Sequence, residues 1–300
     1  MMPSIVLLRY LLLWCCVSGF ALLDGVSPRS VQGEPLSGSM WERLVSDAEQ
    51  LHLPTAFLKN IPPDFIRFEF DDLRTYAAEY HLGEHRLVLN RSLSFNAAGR
   101  VLKPLSKMTH KELEVLYHEL FHAYMDYLAS TGGQTAGIDD ASASLLDVAR
   151  RLQACRYTDV AIAPLAHRQH ETESRYLTQS ESWEALNETW AVFIGWAIWS
   201  QLEVERKGGG SIIHQQRYLD QWAQRLGQAF SHGEFRGYYV PQDEEERRMT
   251  QKRFLAGQSQ LTWEEAKALM MQVLGFSIEV VGHIAKSPGL SVVINAPSPC

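Results

Sequence analysis

One stretch near the middle of the chain carries apolar side chains at helical spacing for long enough to predict a single long helix there. From Thr109 to about Ala129, apolar residues recur three and four positions apart. Thr109 and Glu112 have the spacing of a capping box, which favours a helix start at this point. Two glycines after Thr131 would end the helix. The sequence therefore predicts a helix of about 20 residues.

Residues 118–122 of this helix read His-Glu-Leu-Phe-His, which is the pattern H-E-x-x-H. His118 and His122 are one turn apart, so both imidazoles could bind one Zn²⁺ at about 2.0–2.1 Å. Glu119 is rotated by roughly 100° from His118 about the helix axis, beside the metal rather than among its ligands. Zinc lowers the pKa of a bound water, and Glu119 would accept its proton.

A catalytic zinc needs a third protein ligand and one open position. The predicted helix that starts after Thr178 is strongly apolar, yet one face carries Glu181, Glu184 and Glu188. A buried carboxylate is costly unless it is paired or binds a metal. Glu184 and Glu188 are therefore both candidates for the third ligand.

Another pair of histidines is a weaker alternative source of the third ligand. His167 and His170 are three residues apart, but the segment around them has little helical pattern. Histidines in such a segment usually lie at the surface. We therefore do not expect this pair to bind the metal.

The chain resembles the thermolysin-like gluzincins at two short motifs. Residues 118–126, HELFHAYMD, are similar to their active-site helix, in which an Asp follows the second histidine by four positions. Residues 187–191, NETWA, resemble their second motif. By this resemblance Glu188 would be the third ligand, with Asn187 and Glu184 beside it as supporting groups.

The same resemblance implies a zincin-like core, in which a small sheet, the H-E-x-x-H helix and a second ligand-bearing helix surround a cleft. Residues 85–90 would be the strand that runs along this cleft and pairs with extended substrate. Asp126 would lie near the zinc helix as a group that supports a ligand.

Peptide hydrolysis also needs a hydrogen-bond donor for the oxyanion. In gluzincins this donor is commonly a Tyr or His located after the third ligand. The candidates here are His232, Tyr238 and Tyr239, in a segment whose glycines at 233 and 237 suggest a loop lining a cleft. The sequence alone does not choose among them.

The remaining pattern predicts an α+β fold that is predominantly helical. Alternating residues indicate strands near 65–70 and 85–90, and helical spacing indicates the further helices 40–51, 139–157, 212–230, 243–255 and 262–274. We expect one domain over residues 40–286, preceded by a linker at 22–39 and followed by a loop-like tail at 287–300.

Residues 1–21 have the layout of a cleavable signal peptide. Arg9 precedes an apolar run over residues 10–17, and small residues follow at Ser18, Gly19 and Ala21. The run is shorter than the roughly 20 residues needed to span a bilayer, so no stable membrane span is expected in the mature chain. This predicts a secreted or periplasmic protein, with an uncleaved anchor or a lipoprotein signal as alternatives.

Two cysteines, Cys155 and Cys300, would remain after removal of this segment. A disulfide between them and two free thiols are both compatible with the sequence.

The charge balance argues against a polyanionic partner. The chain has 28 Lys and Arg against 35 Asp and Glu, a formal net charge of −7, and no run of basic residues. Nucleic-acid binding relies on a clustered basic face, so no nucleic-acid partner is expected.

The sequence favours a secreted zinc peptidase acting on peptides or proteins. The alternatives are a non-catalytic protein with a closed zinc site and a metal-free helical domain.

Overall fold

Two long helices lie against each other at the centre of the fold. They are α3 (His110–Thr131) and α5 (Gln179–Val204). Gly195 allows their close approach, because a Cβ at this position would lie 2.9 Å from the carbonyl oxygen of Glu114 and 3.4 Å from the Cβ of His118. The structure, a computed structural model, describes residues 36–74, 76–96, 101–131, 140–164, 172–204, 212–294 and 300.

Both central helices begin with the capping boxes predicted from the sequence. Oγ1 of Thr109 accepts a hydrogen bond from the amide of Glu112, and Oε2 of Glu112 accepts one from the amide of Thr109, at 3.1 and 2.6 Å. Thr178 and Glu181 make the same reciprocal pair at 3.3 and 2.9 Å. The predicted long helix after Thr109 is thereby confirmed.

Shorter helices surround this pair and bury it. The side chains of α5 are buried on nearly every side, including the fully buried Leu186, Trp190, Phe193 and Ile194. This agrees with the wide apolar face seen in the sequence. The surrounding helices are α1 (Leu36–Gln50), α2 (Ala56–Lys59), α4 (Asp140–Cys155), α6 (Gln216–His232), α7 (Glu244–Thr250), α8 (Trp263–Gln272), α9 (Ile278–Ile284) and α10 (Ser291–Ile294).

A buried carboxylate ties the end of α4 to α5 and α8. Glu265 is fully buried and accepts hydrogen bonds from the Arg156 guanidinium at 2.7 Å, the Tyr157 hydroxyl at 2.7 Å and Nε1 of Trp190 at 2.9 Å. Buried charges are tolerated when they are paired and hydrogen-bonded in this way. Since Trp190 lies two residues beyond Glu188, the network also fixes this part of α5.

A small mixed sheet packs against α3. Its strands are β1 (Arg67–Asp71), β2 (Ala78–His81) and β3 (Arg86–Asn90), in the order β1-β3-β2. β1 is parallel to β3, and β2 is antiparallel to it. The strands predicted near 65–70 and 85–90 are confirmed, whereas β2 was not predicted.

Two short antiparallel strand pairs follow. Tyr238 pairs with Phe254 and Tyr239 with Arg253 in the second of them. An isolated bridge between Ile162 and Leu255 connects the two pairs. The strands are β4 (Asp159–Ile162), β5 (Glu173–Tyr176), β6 (Tyr238–Tyr239) and β7 (Arg253–Phe254).

The structure differs from the predictions near the C-terminal end. The helix predicted over 243–255 ends at Thr250, and Gln251 adopts a positive φ of 54° before β7 begins. The segment predicted as a tail contains α10, and Cys300 forms a disulfide with Cys155. The compact unit spans Pro35–Cys300, and it includes the last residues of the predicted linker, which belong to α1.

The helices within the described ranges include none with both the length and the apolar character needed to cross a membrane. The predicted signal peptide, residues 1–21, lies outside the described residues.

Candidate metal centre

Three side chains from the two central helices converge on one point. Nε2 of His118 and Nε2 of His122 lie 3.1 Å apart. Oε2 of Glu188 lies 3.4 Å from the first nitrogen, and Oε1 lies 3.4 Å from the second. His118 and His122 share a face of α3 because they are one turn apart, and Glu188 reaches them from α5.

The donor set of this triad fits a metal ion. Ligand atoms of His118, His122 and Glu188 all lie within 4.8 Å of one another. Two atoms held at about 2.0–2.1 Å in a tetrahedral site would be about 3.3–3.4 Å apart, close to the separations observed. Oε2 of Glu188 is also buried without a hydrogen-bond partner among the described residues. Such a cluster of acceptors is expected to hold a cation, since an unpaired buried oxygen is costly.

Electrostatics keeps Glu188 ionised within this buried cluster. Burial acts to raise the pKa of Glu188, but the imidazoles of His122 and His118 outweigh burial and lower the pKa well below its usual range. Glu188 is therefore a carboxylate at neutral pH, which is the form that binds a metal.

Glu119 lies beside the triad on the side that faces the sheet. Oε2 of Glu119 accepts a hydrogen bond from the backbone amide of Tyr80, on β2, at 2.8 Å. Burial raises the pKa of Glu119 to about 7, a shift that His118 opposes and Glu188 reinforces. A carboxylate with a pKa near neutrality is suited to accept and return a proton.

Tyr238 lies beside Glu188 of the triad. Burial raises the pKa of Tyr238, and the neighbouring carboxylate of Glu188 raises it further, so the hydroxyl remains protonated. Nζ of Lys252 lies 3.8 Å from the centre of the Tyr238 ring, and the Phe254 ring lies 5.7 Å from it in an edge contact. Tyr238 therefore presents a hydrogen-bond donor beside the three candidate ligands.

Gly237 allows Tyr238 to reach this position. The Gly237 amide donates a hydrogen bond to Oγ1 of Thr189 at 3.2 Å. A Cβ on Gly237 would lie 2.4 Å from the Thr189 amide nitrogen and 2.9 Å from the carbonyl carbon of Glu188. Only glycine permits the chain to run this close to α5.

Glu184, the rival third ligand, is engaged elsewhere. Oε2 of Glu184 accepts a hydrogen bond from the amide of Val240 at 3.0 Å. Burial raises the pKa of Glu184, Glu188 adds to this effect, and Lys252 opposes it. Glu184 thus lies near the triad but supports the segment after Tyr238, and it is not among the converging ligand atoms of the described residues.

The other two supporting groups have no recorded hydrogen bond to the side chains of the triad among the described residues. Asn187 is buried, and its Oδ1 has no hydrogen-bond partner among the described residues. Asp126 accepts a hydrogen bond from the hydroxyl of Tyr80 on β2, and its Oδ2 lies 2.9 Å from Nδ1 of His85, in the turn between β2 and β3. The ligand-supporting role that the resemblance implies for Asp126 is therefore not visible in its contacts.

The structure does not bring His232 or Tyr239 to the triad. His232 ends α6 with its side chain 70% exposed, and its Nδ1 lies 3.6 Å from Glu234. Tyr239 points to the other face of its strand from Tyr238 and lies near Arg175 and Glu246. Among the three candidate oxyanion donors, Tyr238 alone lies beside Glu188. The alternative ligands His167 and His170 lie outside the described residues.

The edge of the sheet nearest the triad is β2, not the strand that was predicted. β3 is hydrogen-bonded to β1 on one side and to β2 on the other, so the prediction that residues 85–90 pair with substrate is wrong. The amide of Asn90 donates to the carbonyl of Ala77 at 2.8 Å. Because antiparallel pairs alternate, Ala78 and Tyr80 direct their own amides and carbonyls away from β3.

Sequence reasoning missed Tyr80 and Lys252. Tyr80 lies on a strand of four residues, too short for its alternation to stand out. Lys252 precedes β7 in a segment that was predicted to be helical. Neither residue had a sequence signal of its own. On this side of the site the sequence offered only Gly237, which indicated a loop around Tyr238 and Tyr239.

Comparisons of the chain with known protein families, with curated proteins and with solved structures found no match. Function must therefore be inferred from the geometry of the site.

Proposed function

We propose that this protein is a zinc-dependent peptidase of the gluzincin type, which hydrolyses peptide bonds in an extracytoplasmic compartment. The observation that carries the proposal is the convergence of His118, His122 and Glu188, with the side chains of Glu119 and Tyr238 beside them. Two imidazoles and one carboxylate form the ligand set of many catalytic zinc sites.

An open metal position is supported by the surroundings of the triad. Glu184, a candidate for a fourth protein ligand, accepts a hydrogen bond from the amide of Val240 instead. A structural zinc site has four protein ligands, whereas a catalytic site keeps one position for water or substrate. The three-ligand set among the described residues favours catalysis over the closed, non-catalytic alternative.

A zinc ion held here would supply Lewis acidity to the scissile carbonyl and would lower the pKa of the attacking water. Glu119 accepts a proton from that water as the water oxygen bonds to the carbonyl carbon. Tyr238 donates a hydrogen bond to the carbonyl oxygen as negative charge develops on it. Glu119 then gives the proton to the amide nitrogen as the C–N bond breaks, releasing an amine and a carboxylic acid. The acid's remaining proton passes to the amine, which leaves a carboxylate and an ammonium group.

The outward edge of β2 supports an extended peptide as the substrate. The outward-facing carbonyls and amide of Ala78 and Tyr80 can pair with a substrate backbone, a mode that recognises main chain rather than side chains. The Tyr80 amide also touches Glu119, so a peptide bound along β2 would lie next to the general base.

The disulfide supports the proposed location. Cys155 and Cys300 are bonded although they are 145 residues apart in sequence. Disulfides persist in secreted and periplasmic proteins and are rare in reducing compartments. This agrees with the expectation of an N-terminal signal peptide.

The test is the pair of variants Glu119→Gln and Glu264→Gln, the second being an exposed residue of α8. The purified wild type should contain about one zinc per chain and cleave quenched fluorescent peptides from a mixed library. Glu119→Gln should keep its zinc and lose at least about 100-fold in kcat, since a general base contributes on this scale. Glu264→Gln should match the wild type. An active Glu119→Gln protein, or a wild type without bound zinc, would refute the proposal.

A further inference from the structure

Asp126 faces the sheet rather than the metal ligands. It lies seven residues after Glu119, so the two carboxylates share one stripe of α3, separated by about two turns. Relative to His118, Asp126 is rotated by roughly 80° about the helix axis. Asp126 therefore lies on the same face of α3 as Glu119, the predicted general base.

The contacts of Asp126 run to β2 and to the turn after it. Oδ2 of Asp126 accepts a hydrogen bond from the Tyr80 hydroxyl at 2.7 Å and lies 2.9 Å from Nδ1 of His85. The Asp126 side chain is only 11% exposed, so these are shielded hydrogen bonds to a carboxylate. Hydrogen bonds to an ionised group are stronger than those between neutral groups.

Tyr80 connects two turns of α3 to the strand. Its backbone amide donates to Glu119, and its hydroxyl donates to Asp126. Burial and the bond to Asp126 raise the pKa of Tyr80, so the hydroxyl stays a donor. A shift of β2 along or away from α3 would break both bonds.

His85 provides a second connection at the start of β3. It adopts a left-handed backbone with a φ of 49°, which is uncommon for a residue other than glycine. Its ring lies 4.2 Å from the ring of Phe65, which itself contacts Tyr127 of α3 at 5.1 Å. Strained backbone of this kind persists where surrounding contacts hold it in place.

We propose that Asp126 is a positioning residue, which through Tyr80 and His85 sets the distance between the outward edge of β2 and Glu119. This inference rests on the proposed function, because the edge and Glu119 must bind one extended peptide together. It assigns Asp126 to substrate alignment and not to support of a metal ligand.

The experiment compares Asp126→Ala and Tyr80→Phe with the control Tyr76→Phe, which removes the hydroxyl of a tyrosine that is 61% exposed. Three quantities are measured on the full chain: the zinc Kd by competition with a chromophoric chelator, amide hydrogen exchange of residues 78–81, and KM and kcat for a peptide substrate. Tyr80→Phe removes only one hydroxyl, so it remains informative if Asp126→Ala fails to fold.

We expect both variants to keep the zinc Kd of the wild type within about threefold, since Asp126 contacts no ligand. Exchange in residues 78–81 should accelerate by about tenfold or more, because β2 opens more easily. KM should rise by about tenfold, with a smaller change in kcat, since ground-state alignment is lost. The double variant should be no worse than the worse single variant, because both remove the same bond.

Two results would overturn the inference. The first is a 10- to 100-fold weaker zinc Kd in Asp126→Ala, which is the expected effect of losing support for a metal ligand. The second is a Tyr80→Phe protein whose exchange and KM equal those of Tyr76→Phe. If the wild type binds zinc but cleaves no peptide, the proposed function is wrong. Hydrogen exchange of residues 78–81 and the zinc Kd would still test whether Asp126 positions β2.

Discussion

Gly237 lies directly against Thr189, the residue that follows the predicted third ligand, with its amide bonded to Oγ1 of Thr189 at 3.2 Å. This contact connects the candidate metal centre to the segment that carries Tyr238. It explains how a two-residue strand can hold a side chain beside Glu188.

Gly237→Ala should damage both stability and catalysis. The added Cβ would lie 2.4 Å from the Thr189 amide nitrogen, so the backbone must move. Overpacking of this kind costs about 1–3 kcal/mol, and displacement of Tyr238 should lower kcat at least tenfold. Thermal unfolding and peptide hydrolysis measure the two effects. Gly257→Ala is the control, since nothing lies within 4 Å of its Cβ; equal behaviour of the two variants would contradict the prediction.

The neighbouring tyrosines 238 and 239 should respond differently to loss of the hydroxyl. Tyr238→Phe removes the donor beside Glu188, and kcat should fall by about 10²–10³ while zinc content is unchanged. Tyr239→Phe removes a buried hydroxyl that has no hydrogen-bond partner among the described residues, so kcat should stay within about twofold. Steady-state kinetics of both variants decides the matter. A larger loss of kcat in Tyr239→Phe than in Tyr238→Phe would show that Tyr239, and not Tyr238, has the oxyanion role.

Removal of the metal should lower the melting temperature. A ligand that binds only the folded chain stabilises it by about 2.7 kcal/mol at 100 times its Kd. Treatment with a chelator should therefore lower Tm by several degrees, and added zinc should restore it. His118→Ala loses one ligand, so its Tm should depend little on chelator. If chelator leaves the Tm of the wild type unchanged, the triad does not hold a metal that stabilises the fold.

Glu265→Ala should be among the most destabilising single changes in α8. It leaves the buried Arg156 guanidinium without its carboxylate and removes acceptors from Tyr157 and Trp190. Loss of one partner of a buried ion pair costs about 3–5 kcal/mol. Glu264→Ala, at the exposed neighbouring position, should change the free energy of unfolding by less than about 0.5 kcal/mol. Denaturant unfolding of the two variants provides the comparison, and similar midpoints would disprove this role for Glu265.

The disulfide should contribute to stability measurably. Cys155 and Cys300 are separated by 145 residues, and loss of such a cross-link typically costs about 2–5 kcal/mol. Cys155→Ser and Cys300→Ser should each lower Tm by a similar amount, and the double variant should be no less stable than either. Differential scanning calorimetry, with and without reductant, tests this. A reductant-insensitive Tm in the wild type would be inconsistent with it.

The sequence predicted the elements whose signals are local. The helix around His118 was evident because a long periodic pattern begins with a capping box, and the helix around Glu188 had the same two signals. The position of Glu188 beside the histidines followed from the family resemblance.

The features that sequence could not predict depend on contacts between distant segments. The choice between Tyr238 and Tyr239 is set by the pairing of a two-residue strand with β7 and by the packing of Gly237 on α5. Tyr80, whose hydroxyl donates to Asp126, is 46 residues away in sequence, on a strand of only four residues. Neither relationship has a periodic signature in the chain.

The Cys155–Cys300 bond closes a covalent ring that contains Glu188 and Tyr238 but excludes His118 and His122. If the proposed peptidase activity acts on the chain itself, a single cut within this ring leaves the two pieces joined. Nicked molecules would therefore migrate as intact protein on a non-reducing gel and separate only after reduction. A cut between His122 and Cys155 would instead release the segment bearing the two histidines from any covalent link to Glu188 and Tyr238.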